Sequence, residues 1–332
     1  MTAMSRAFLV AAFCAACLAL RPAVAAAAPK VPVAYTSDLF YPPEDPDDYF
    51  DMAVLHGLDF DVKAVVLDGY APGGKSQTSS PGSKALSILR EVTGRTHGVS
   101  IGGHSPGATG SAGSAALLEA VKWNRGLTII VVGALTDLAA AYKADPSAFV
   151  TVDKVMLFAG DAAGLAEHNT RLDPAAWETI VNSDLPVVWL PSFDGGFENR
   201  GARSARGRAT WVSFRHDEIF QGVPGSLAKF FALAGVSYGD TRERNLYAAG
   251  LLEIAACDRR SLAVSTCGSA KSLGVRFVKV NIRAVGARVE YGTGRDVLAF
   301  RVSDYAEYRR AFLERSNAGL ARAAAGLGAQ RR

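Results

Sequence analysis

The stretch VPVAYTSDLFYPPEDPDDYFDMAVLHG, residues 31–57, decides how the chain folds. It begins with a short apolar run, VPVAYT (31–36), passes through a turn rich in Pro and Asp, and continues with helical spacing over 47–57. Short, Val- and Ile-rich runs bounded by turn residues are typical of strands buried on both faces of a parallel sheet. The stretch therefore predicts a strand, a loop and a helix in that order.

The same alternation continues through the next part of the chain. Further strand-like runs are VKAVVLD (62–68), LTIIVVG (127–133), KVMLFAG (154–160) and PVVWLP (186–191). Helical patterns separate them at 82–94, 111–124, 136–144 and 173–182. Repeated strand–helix order predicts an α/β fold, a doubly wound and mostly parallel sheet flanked by helices, with its site at the carboxyl ends of the strands.

The rhythm changes after residue 191. The segment 192–210 is rich in Gly, Ser and Arg and is expected to be an exposed loop or lid. The remaining patterns are helices at 225–235 and 245–256, a small late pair of strands at 275–284 and 296–303, and a terminal helix over 304–325. Because no internal repeat or linker divides the chain, we expect residues 26–332 to form a single domain.

The first 25 residues have the pattern of a secretory signal peptide. Arg6 supplies the basic region, residues 7–20 the apolar region, and Ala23-Val24-Ala25 a small-residue cleavage site. The apolar run is short for a bilayer span, and an uncleaved membrane anchor is the alternative. We predict a periplasmic or secreted protein that has no membrane partner after cleavage.

Export bears on the four cysteines. Cys14 and Cys17 would leave with the signal peptide, so the mature chain keeps Cys257 and Cys267, ten residues apart. In an oxidising compartment this pair is expected to form a disulfide, and two buried free thiols are the alternative.

Composition excludes some partners. The 332 residues are 49% hydrophobic and 20% charged, as in ordinary globular proteins. Much of the formal charge of +4 comes from Arg-rich stretches at 200–208 and 321–332, not from a helix face that alternates basic and aromatic residues. This pattern argues against nucleic acid as a partner.

An acidic run follows the first strand. Asp38, Asp45, Asp47 and Asp48 lie within eleven residues and repel one another unless a positive charge lies among them. Roles in capping the helix and in pairing with its dipole account for one or two of them, but not for all four. A hard divalent cation prefers oxygen ligands of this kind, so the run predicts a metal site.

Two further motifs are GALTDLA (Gly133–Ala139) and AEHNTRLDPAA (Ala166–Ala176). Together with the acidic run they resemble three motifs of the inosine–uridine-type nucleoside hydrolases. The Asp-rich turn of that family, D-x-D-P-G-x-D-D, resembles a lengthened Asp38–Asp48. Its G-P-L-T-N-L-A is similar to Gly133–Ala139, and its A-E-F-N-…-D-P-E-A-A to Ala166–Ala176. The motifs agree in order and in approximate spacing, and the resemblance covers residues 31–313.

The resemblance implies a calcium-dependent hydrolase of the N-glycosidic bonds of ribonucleosides or related ribosides. Asp38 and Asp48 would hold Ca²⁺ through carboxylates and Thr136 through its backbone carbonyl. Asp47 would be the general base that deprotonates a calcium-bound water for attack on the anomeric carbon.

The substrate side of the resemblance involves other residues. Asn169 would bind ribose hydroxyls, while Glu167 and Asp161 would lie near the 5′-hydroxyl end. The partner would be a small-molecule nucleoside or riboside, and the family implies a possible homo-oligomer. Asp68 stands where the family has Asn; it would bind a sugar hydroxyl or the cation, or alternatively cap the turn before Gly69.

Two departures concern the late metal motif H-D-P-x-A. Its best counterpart is Arg244–Ala248, in which Asn245 replaces the fourth metal carboxylate and offers only a neutral carbonyl oxygen. Arg244 replaces a His, and an arginine does not give up its proton to a leaving base near neutral pH. His216-Asp217 has the same letters but comes early, and we interpret it as structural or associated with a lid.

Two further features bear on the pocket. The inserted loop Leu39–Glu44 would reshape its mouth, and His104, in a Gly-rich turn, is a weak candidate for its wall.

Two alternative functions stay open. A divergent member of the same fold would cleave a different glycoside, or only bind a sugar or nucleoside. A magnesium-dependent phosphohydrolase is less favoured, because no Lys follows a strand end and no Gly-rich phosphate loop opens a helix.

Overall fold

A computed structural model of the protein describes residues 29–39, 46–69, 82–103, 105–196 and 207–329. The chain divides into two units, Met1–Lys30 and Val31–Arg332, and every element below belongs to the second. The predicted signal peptide, Asp45 and His104 lie outside the described residues. No helix in the described part has the length and apolarity needed to cross a bilayer.

The strands are short, as their sequence runs predict. In chain order they are β1 (Pro32–Ser37), β2 (Asp61–Leu67), β3 (Val99–Ile101), β4 (Thr128–Val131), β5 (Lys154–Leu157), β6 (Val187–Trp189), β7 (Val212–Arg215), β8 (Glu243–Leu246), β9 (Val275–Val285), β10 (Arg288–Tyr291) and β11 (Arg295–Val302).

Helices alternate with these strands. They are α1 (Asp47–Gly57), α2 (Gly82–Thr93), α3 (Ala112–Trp123), α4 (Thr136–Ala144), α5 (His168–Leu172), α6 (Pro174–Val181), α7 (His216–Ile219), α8 (Ala228–Ala232), α9 (Arg259–Ala263), α10 (Gly268–Ser272) and α11 (Tyr305–Ala329), with 3₁₀ helices at Pro146–Thr151, Gly225–Leu227 and Ala249–Ala256.

Within the described residues, nine strands form one sheet in the order β10-β9-β11-β6-β5-β4-β1-β2-β3. From β3 to β11 all neighbours pair in parallel, while β9 is antiparallel to β11 and to β10. The predicted late strands are β9 and β11, which extend this sheet, and β7 and β8 form a separate antiparallel pair. The predicted fold class is confirmed.

Both faces of the sheet are buried, because side chains alternate along each strand. Val33 and Tyr35 of β1 belong to the core that also contains residues of α1, α2 and α11, whereas Ala34 belongs to the core formed with α3, α4 and α6. Helices on both faces are what the uninterrupted apolar strand sequences require.

Three predicted segments differ from the structure. The helix expected over 245–256 begins as β8 and becomes a 3₁₀ helix only from Ala249, and the helix expected over 225–235 is broken into two short turns. The segment 192–210 is not an exposed loop at its ends: Ser192 and Phe193 are buried, and the guanidinium of Arg208 makes two hydrogen bonds to Asp194. Residues 197–206 between them lie outside the described part.

Helix α1 is held against the sheet by the last helix, α11. A Cβ on Gly57 would lie 1.9 Å from the carbonyl oxygen of Gly319, and a Cβ on Gly319 would lie 2.7 Å from Cγ1 of Val54. Only residues without a side chain allow the two helices to come this close. The helix that carries the acidic run therefore depends on the far end of the chain.

Candidate active site

Strand β1 lies at the point where the order of the sheet changes direction, with β2 on one side and β4 on the other. Ligands of doubly wound sheets bind in the crevice beyond the carboxyl ends of the strands at such a point. A cavity of about 250 Å³ lies there. It is lined by Asp38, Asp47, Asp48, Asp51, Val132, Phe158, Ala166, Glu167, His168, Asn169, Arg171, Ser192, Phe193, Tyr247 and Ala248.

The cavity is acidic. Its described lining includes five carboxylates against one guanidinium, that of Arg171. Three of the carboxylates come from the first two turns of α1, because Asp47 and Asp48 are its first residues and Asp51 follows one turn later. An excess of buried negative charge at a concave site favours a cationic ligand.

Asp38 and Asp48 face each other. Burial raises the pKa of Asp48 well above its ordinary value, and the charges of Asp38 and Asp47 and a hydrogen bond with the Asp38 side chain raise it further. Two carboxyl groups that share a proton offer a divalent cation the oxygens it needs, so the donor set fits a metal ion. Among the described residues, no group of three or more His, Cys, Asp and Glu side chains is arranged to hold a metal. Two carboxylates with neutral oxygens are therefore the set that the described chain offers.

Two predicted residues connect the strand ends around Asp38. Thr136 begins α4 after β4, and its buried hydroxyl donates to Oδ2 of Asp173 at 2.8 Å. Asp68 follows β2, and its Oδ2 accepts the Ala134 N–H at 2.8 Å. Burial and then the charge of Asp38 raise the pKa of Asp68 well above its ordinary value. Asp68 thus ties β2 to β4 beside Asp38 and does not line the cavity itself.

Glu167 and Asn169 both line the cavity but are held differently. The Glu167 carboxylate caps α5 by accepting the N–H groups of Asn169 and Thr170, and it also accepts that of Gly160. The Asn169 amide donates to the Val132 carbonyl at 2.9 Å, while its Oδ1 has no hydrogen-bond partner in the described part of the chain. Asn169 therefore presents a fixed acceptor for a ligand hydroxyl.

Two predicted site residues do not reach the cavity. The Asp161 carboxylate accepts N–H groups of Ala163, Gly195 and Gly196 and is 1% exposed, so it closes a turn and is not part of the described cavity lining. Asn245 lies in β8 opposite Ser213, and the wall beyond this strand is formed by Tyr247 and Ala248. Because β8 extends to Leu246, the part of this segment that lines the cavity begins at Tyr247, two residues after Asn245.

Comparison with known proteins finds a family that part of the chain resembles. The family model described as inosine-uridine preferring nucleoside hydrolase matches residues 64–198, less than half of the chain. Over these residues the chain is nucleoside hydrolase-like. The match is consistent with hydrolysis of glycosidic bonds. It begins after the acidic run, so the assignment of Asp38, Asp47 and Asp48 depends on the geometry above.

Solved structures with a similar fold include nucleoside hydrolases. A plant nucleoside hydrolase is 16% identical with a TM-score of 0.57, covering 87% of this chain and 99% of that one. An inosine-uridine preferring nucleoside hydrolase from Bacillus anthracis is 12% identical with a TM-score of 0.55 and covers 87% and 99%. The effector protein XOO4466 is 14% identical with a TM-score of 0.57 and covers 90% and 95%. No curated protein matches the chain in sequence.

Three residues that line the cavity, Asp51, Phe193 and Tyr247, were not predicted from the sequence. Asp51 is detectable by its spacing of four from Asp47 on a helix, which places both side chains on one face. Phe193 and Tyr247 form an aromatic pair with ring centroids 5.5 Å apart, but they come from segments 54 residues apart and share no local pattern.

Other predicted features lie away from the cavity. His216 is fully buried among Phe50, Phe214 and Phe220, with its Nδ1 3.6 Å from Asp240. Cys257 and Cys267 form a disulfide that joins the end of a 3₁₀ helix to the start of α10. Neither feature contributes to the lining of the acidic cavity.

Proposed function

We propose that this protein is an exported, calcium-dependent hydrolase of the N-glycosidic bonds of ribonucleosides or related ribosides. The observation that carries the proposal is the facing carboxyl pair of Asp38 and Asp48 in the same cavity as Asp47 and Asn169. That combination offers a cation site, a base and a sugar contact within one enclosed volume.

The cation would be held by Asp38 and Asp48, with the backbone carbonyl of Thr136 as a further oxygen. When bound, calcium would polarise a water molecule and orient the sugar hydroxyls. Asp38 directly follows β1 and Asp48 lies in α1, the two elements that begin the fold, and both carboxyl groups are largely buried. Burial lowers the local dielectric and strengthens their attraction for a cation.

Asp47 is the general base of this proposal. Its Oδ1 accepts the N–H of Asp48 at 3.0 Å, and the carboxylate lines the cavity, where it would take a proton from water. The hydroxide so formed bonds to the anomeric carbon and the C–N bond breaks. The departing base takes the electron pair and, through solvent, the equivalent of the proton that Asp47 removed from water. The surrounding negative charge favours a transition state in which the sugar ring becomes positive.

The substrate is proposed to lie between Asn169 and the aromatic pair. The fixed Oδ1 of Asn169 accepts a hydrogen bond from a sugar hydroxyl. Among the described residues this atom has no hydrogen-bond partner that the sugar would displace. Phe193 and Tyr247 give a flat base an aromatic surface on the cavity wall. Glu167 shapes the same wall by holding α5 in place.

Export is proposed from the signal-peptide pattern of residues 1–25, and the Cys257–Cys267 disulfide supports it. Disulfides persist in oxidising compartments and are rare in the cytosol. Fractionation of cells that produce the full chain tests this part: we expect the protein outside the cytoplasm, shortened at its N-terminus.

The activity is tested by incubating purified protein with inosine, uridine and a broader set of ribonucleosides and measuring reducing sugar. We expect release of ribose that stops after treatment with a chelator and returns when calcium is added. The Asp38→Asn variant serves as the matched loss of function. If no nucleoside in the set yields sugar with calcium present, the proposed activity is wrong.

A second candidate is a protein that binds a sugar or nucleoside without cleaving it. The observation that favours it is the wall segment at Tyr247 and Ala248, where Ala248 carries no acidic side chain. Calorimetry with ribose and calcium separates the two functions. A binder saturates without release of base, whereas an enzyme consumes the nucleoside.

A further inference from the structure

We infer that Arg171 selects substrates with a phosphate group on the 5′ carbon of the ribose, which makes ribonucleoside 5′-monophosphates the preferred substrates of the site. The inference rests on the proposed function and names the substrate class of that same cavity. It depends on a fixed helix at the cavity wall, on a guanidinium without a partner in the described chain, and on the place of that guanidinium relative to the proposed sugar and base contacts.

Helix α5 is fixed at the wall of the cavity. The Asn169 side-chain amide donates to the Val132 carbonyl at 2.9 Å. The buried Thr170 hydroxyl donates to the Ala287 carbonyl at 2.9 Å. These bonds join α5 to the end of β4 and to the turn between β9 and β10. Arg171, in the same helix, is exposed and lines the cavity, so its backbone is held in place while its side chain is accessible to a ligand.

The guanidinium of Arg171 is not paired with the carboxylates around it. The described lining contains five carboxylates, yet the Arg171 side chain makes no hydrogen bond or ion pair with a described residue. The Glu167 carboxylate, four residues earlier, already accepts three backbone N–H groups. Arginine carries its N–H donors in a planar fork that fits the oxygens of a phosphate or a carboxylate. The donors of Arg171 are therefore available to an anionic ligand.

The position of Arg171 points to an anionic group on the sugar and not on the base. Arg171 follows Asn169, the proposed acceptor for a sugar hydroxyl, by two residues in the same helix. The proposed surface for the base is the pair Phe193 and Tyr247, which comes from other segments of the chain. We therefore assign the anionic group to the sugar.

The chemistry of a riboside leaves one carbon for this group. The base is bonded to the anomeric carbon, and the adjacent hydroxyls that a bound cation could orient are those at 2′ and 3′. A phosphate on the 5′ carbon alters neither the reacting carbon nor these two hydroxyls. The carboxylates of the cavity repel a phosphate, but Arg171 is exposed, so water and salt screen this repulsion at its position.

The reaction on such a substrate is the hydrolysis already proposed. Hydroxide bonds to the anomeric carbon, the C–N bond breaks, and the free base and ribose 5-phosphate are released. The base takes the electron pair and, through solvent, the equivalent of the proton that Asp47 removed from water. No P–O bond breaks, so inorganic phosphate is not a product.

The test compares kcat/KM for inosine 5′-monophosphate and for inosine with calcium present. We expect the wild type to favour the 5′-monophosphate by about tenfold or more, and Arg171→Gln to reduce that preference by about tenfold or more, since a charged hydrogen bond is lost. Inosine 3′-monophosphate should not be favoured. Arg310→Gln is the matched control: it removes the same charge from an exposed arginine that pairs with Glu314 on α11 and is not part of the described lining. Its preference should stay within about twofold of that of the wild type.

A wild-type protein that hydrolyses inosine without favouring the 5′-monophosphate overturns the inference and leaves the proposed function intact. A preference that persists in Arg171→Gln overturns the inference too, because another group then binds the phosphate. If neither compound is hydrolysed, the proposed function is wrong, and calorimetry with ribose 5-phosphate and ribose in the presence of calcium decides about Arg171. Equal affinities of the wild type for the two sugars then overturn the inference, whereas tighter binding of ribose 5-phosphate that Arg171→Gln abolishes supports it.

Discussion

Neighbouring residues Asp47 and Asp48 have different surroundings, and their substitutions should therefore have different effects. Asp48 is 6% exposed and shares a hydrogen bond with Asp38, whereas Asp47 is partly exposed and its Oδ1 accepts the N–H of Asp48. We expect Asp47→Asn to lower kcat by about 10²–10⁴-fold, the usual contribution of a general base. Calorimetry should show that this variant keeps its calcium affinity within about tenfold.

The matched variant Asp48→Asn should lose calcium binding together with activity. Activity that survives in Asp47→Asn would show that another group accepts the proton from water.

Asn169 should contribute to substrate affinity. Its free Oδ1 in the described chain is the acceptor proposed for a sugar hydroxyl. Asn169→Ala should raise KM, or lower kcat/KM, by about 10-fold to 100-fold, the loss expected when a buried hydrogen bond to a ligand is removed.

Asn182→Ala is the control for Asn169→Ala. The Asn182 amide donates to the Ala284 carbonyl and accepts the Ala284 N–H, and it is not part of the described cavity lining. Steady-state kinetics that show equal losses for both variants would remove Asn169 from the substrate site.

At this scale the sequence predicts some residues and not others. The sequence identifies Asp38, Asp47 and Asp48 as a cluster because Asp38 follows a strand and the other two begin the next helix. Asp161 and Glu167 are equally acidic, but only the structure shows that the first is enclosed by three backbone N–H groups while the second lines the cavity. The sequence pattern puts Asn245 at the cavity, whereas it lies within β8. A polar strand such as β8 has no apolar alternation that would mark its end.

Among the elements, the start of α4 is joined to the loop after β3 by unusually close packing. The Asp137 carboxylate accepts the Gly103 N–H, with distances of 3.0 and 3.1 Å to its two oxygens, and it also accepts the Ser111 hydroxyl. A Cβ on Gly102 would lie 2.0 Å from Oδ2 of Asp137. We expect Gly102→Ala to lower the free energy of unfolding by about 1–3 kcal/mol, as overpacking does.

Gly98→Ala is the matched substitution, since a Cβ there meets nothing within 4 Å. Urea unfolding should show a change of at most about 0.5 kcal/mol for this variant. Equal losses in the two variants would mean that the Asp137 side chain moves away from the new Cβ without lowering the free energy of unfolding.

Element prediction succeeds where burial is two-sided. Strands β1, β2, β4, β5 and β6 are continuous apolar runs because both of their faces are covered, and the sequence marks each of them. Strand β3 has three partly buried residues at the edge of the sheet, too few to show a period. The same reasoning locates the carboxyl-end crevice from sequence but not the aromatic wall, which comes from segments without strand or helix periodicity.

For the whole molecule, the buried His56 and the partly buried His97 predict how stability depends on pH. Burial lowers the pKa of His56 well below its ordinary value of 6.5 and that of His97 to about 4, with Arg90 and Arg95 adding to both effects. Between about pH 6.5 and pH 4 the unfolded chain therefore binds protons that the folded chain does not. The free energy of unfolding should fall as the pH is lowered through this window.

The measurement is the urea midpoint at pH 7.5 and at pH 5 for the wild type, His97→Gln and His168→Gln. The fall should be smaller in His97→Gln and unchanged in His168→Gln, whose side chain is exposed. A fall of equal size in all three proteins would assign the acid sensitivity to other groups.

The close contact between Gly57 and Gly319 has a consequence for truncated chains. Because α11 covers α1, the core beneath the acidic helix is incomplete until residues 305–329 are in place. We expect chains cut before residue 305 to lack a formed cavity, whatever their remaining secondary structure.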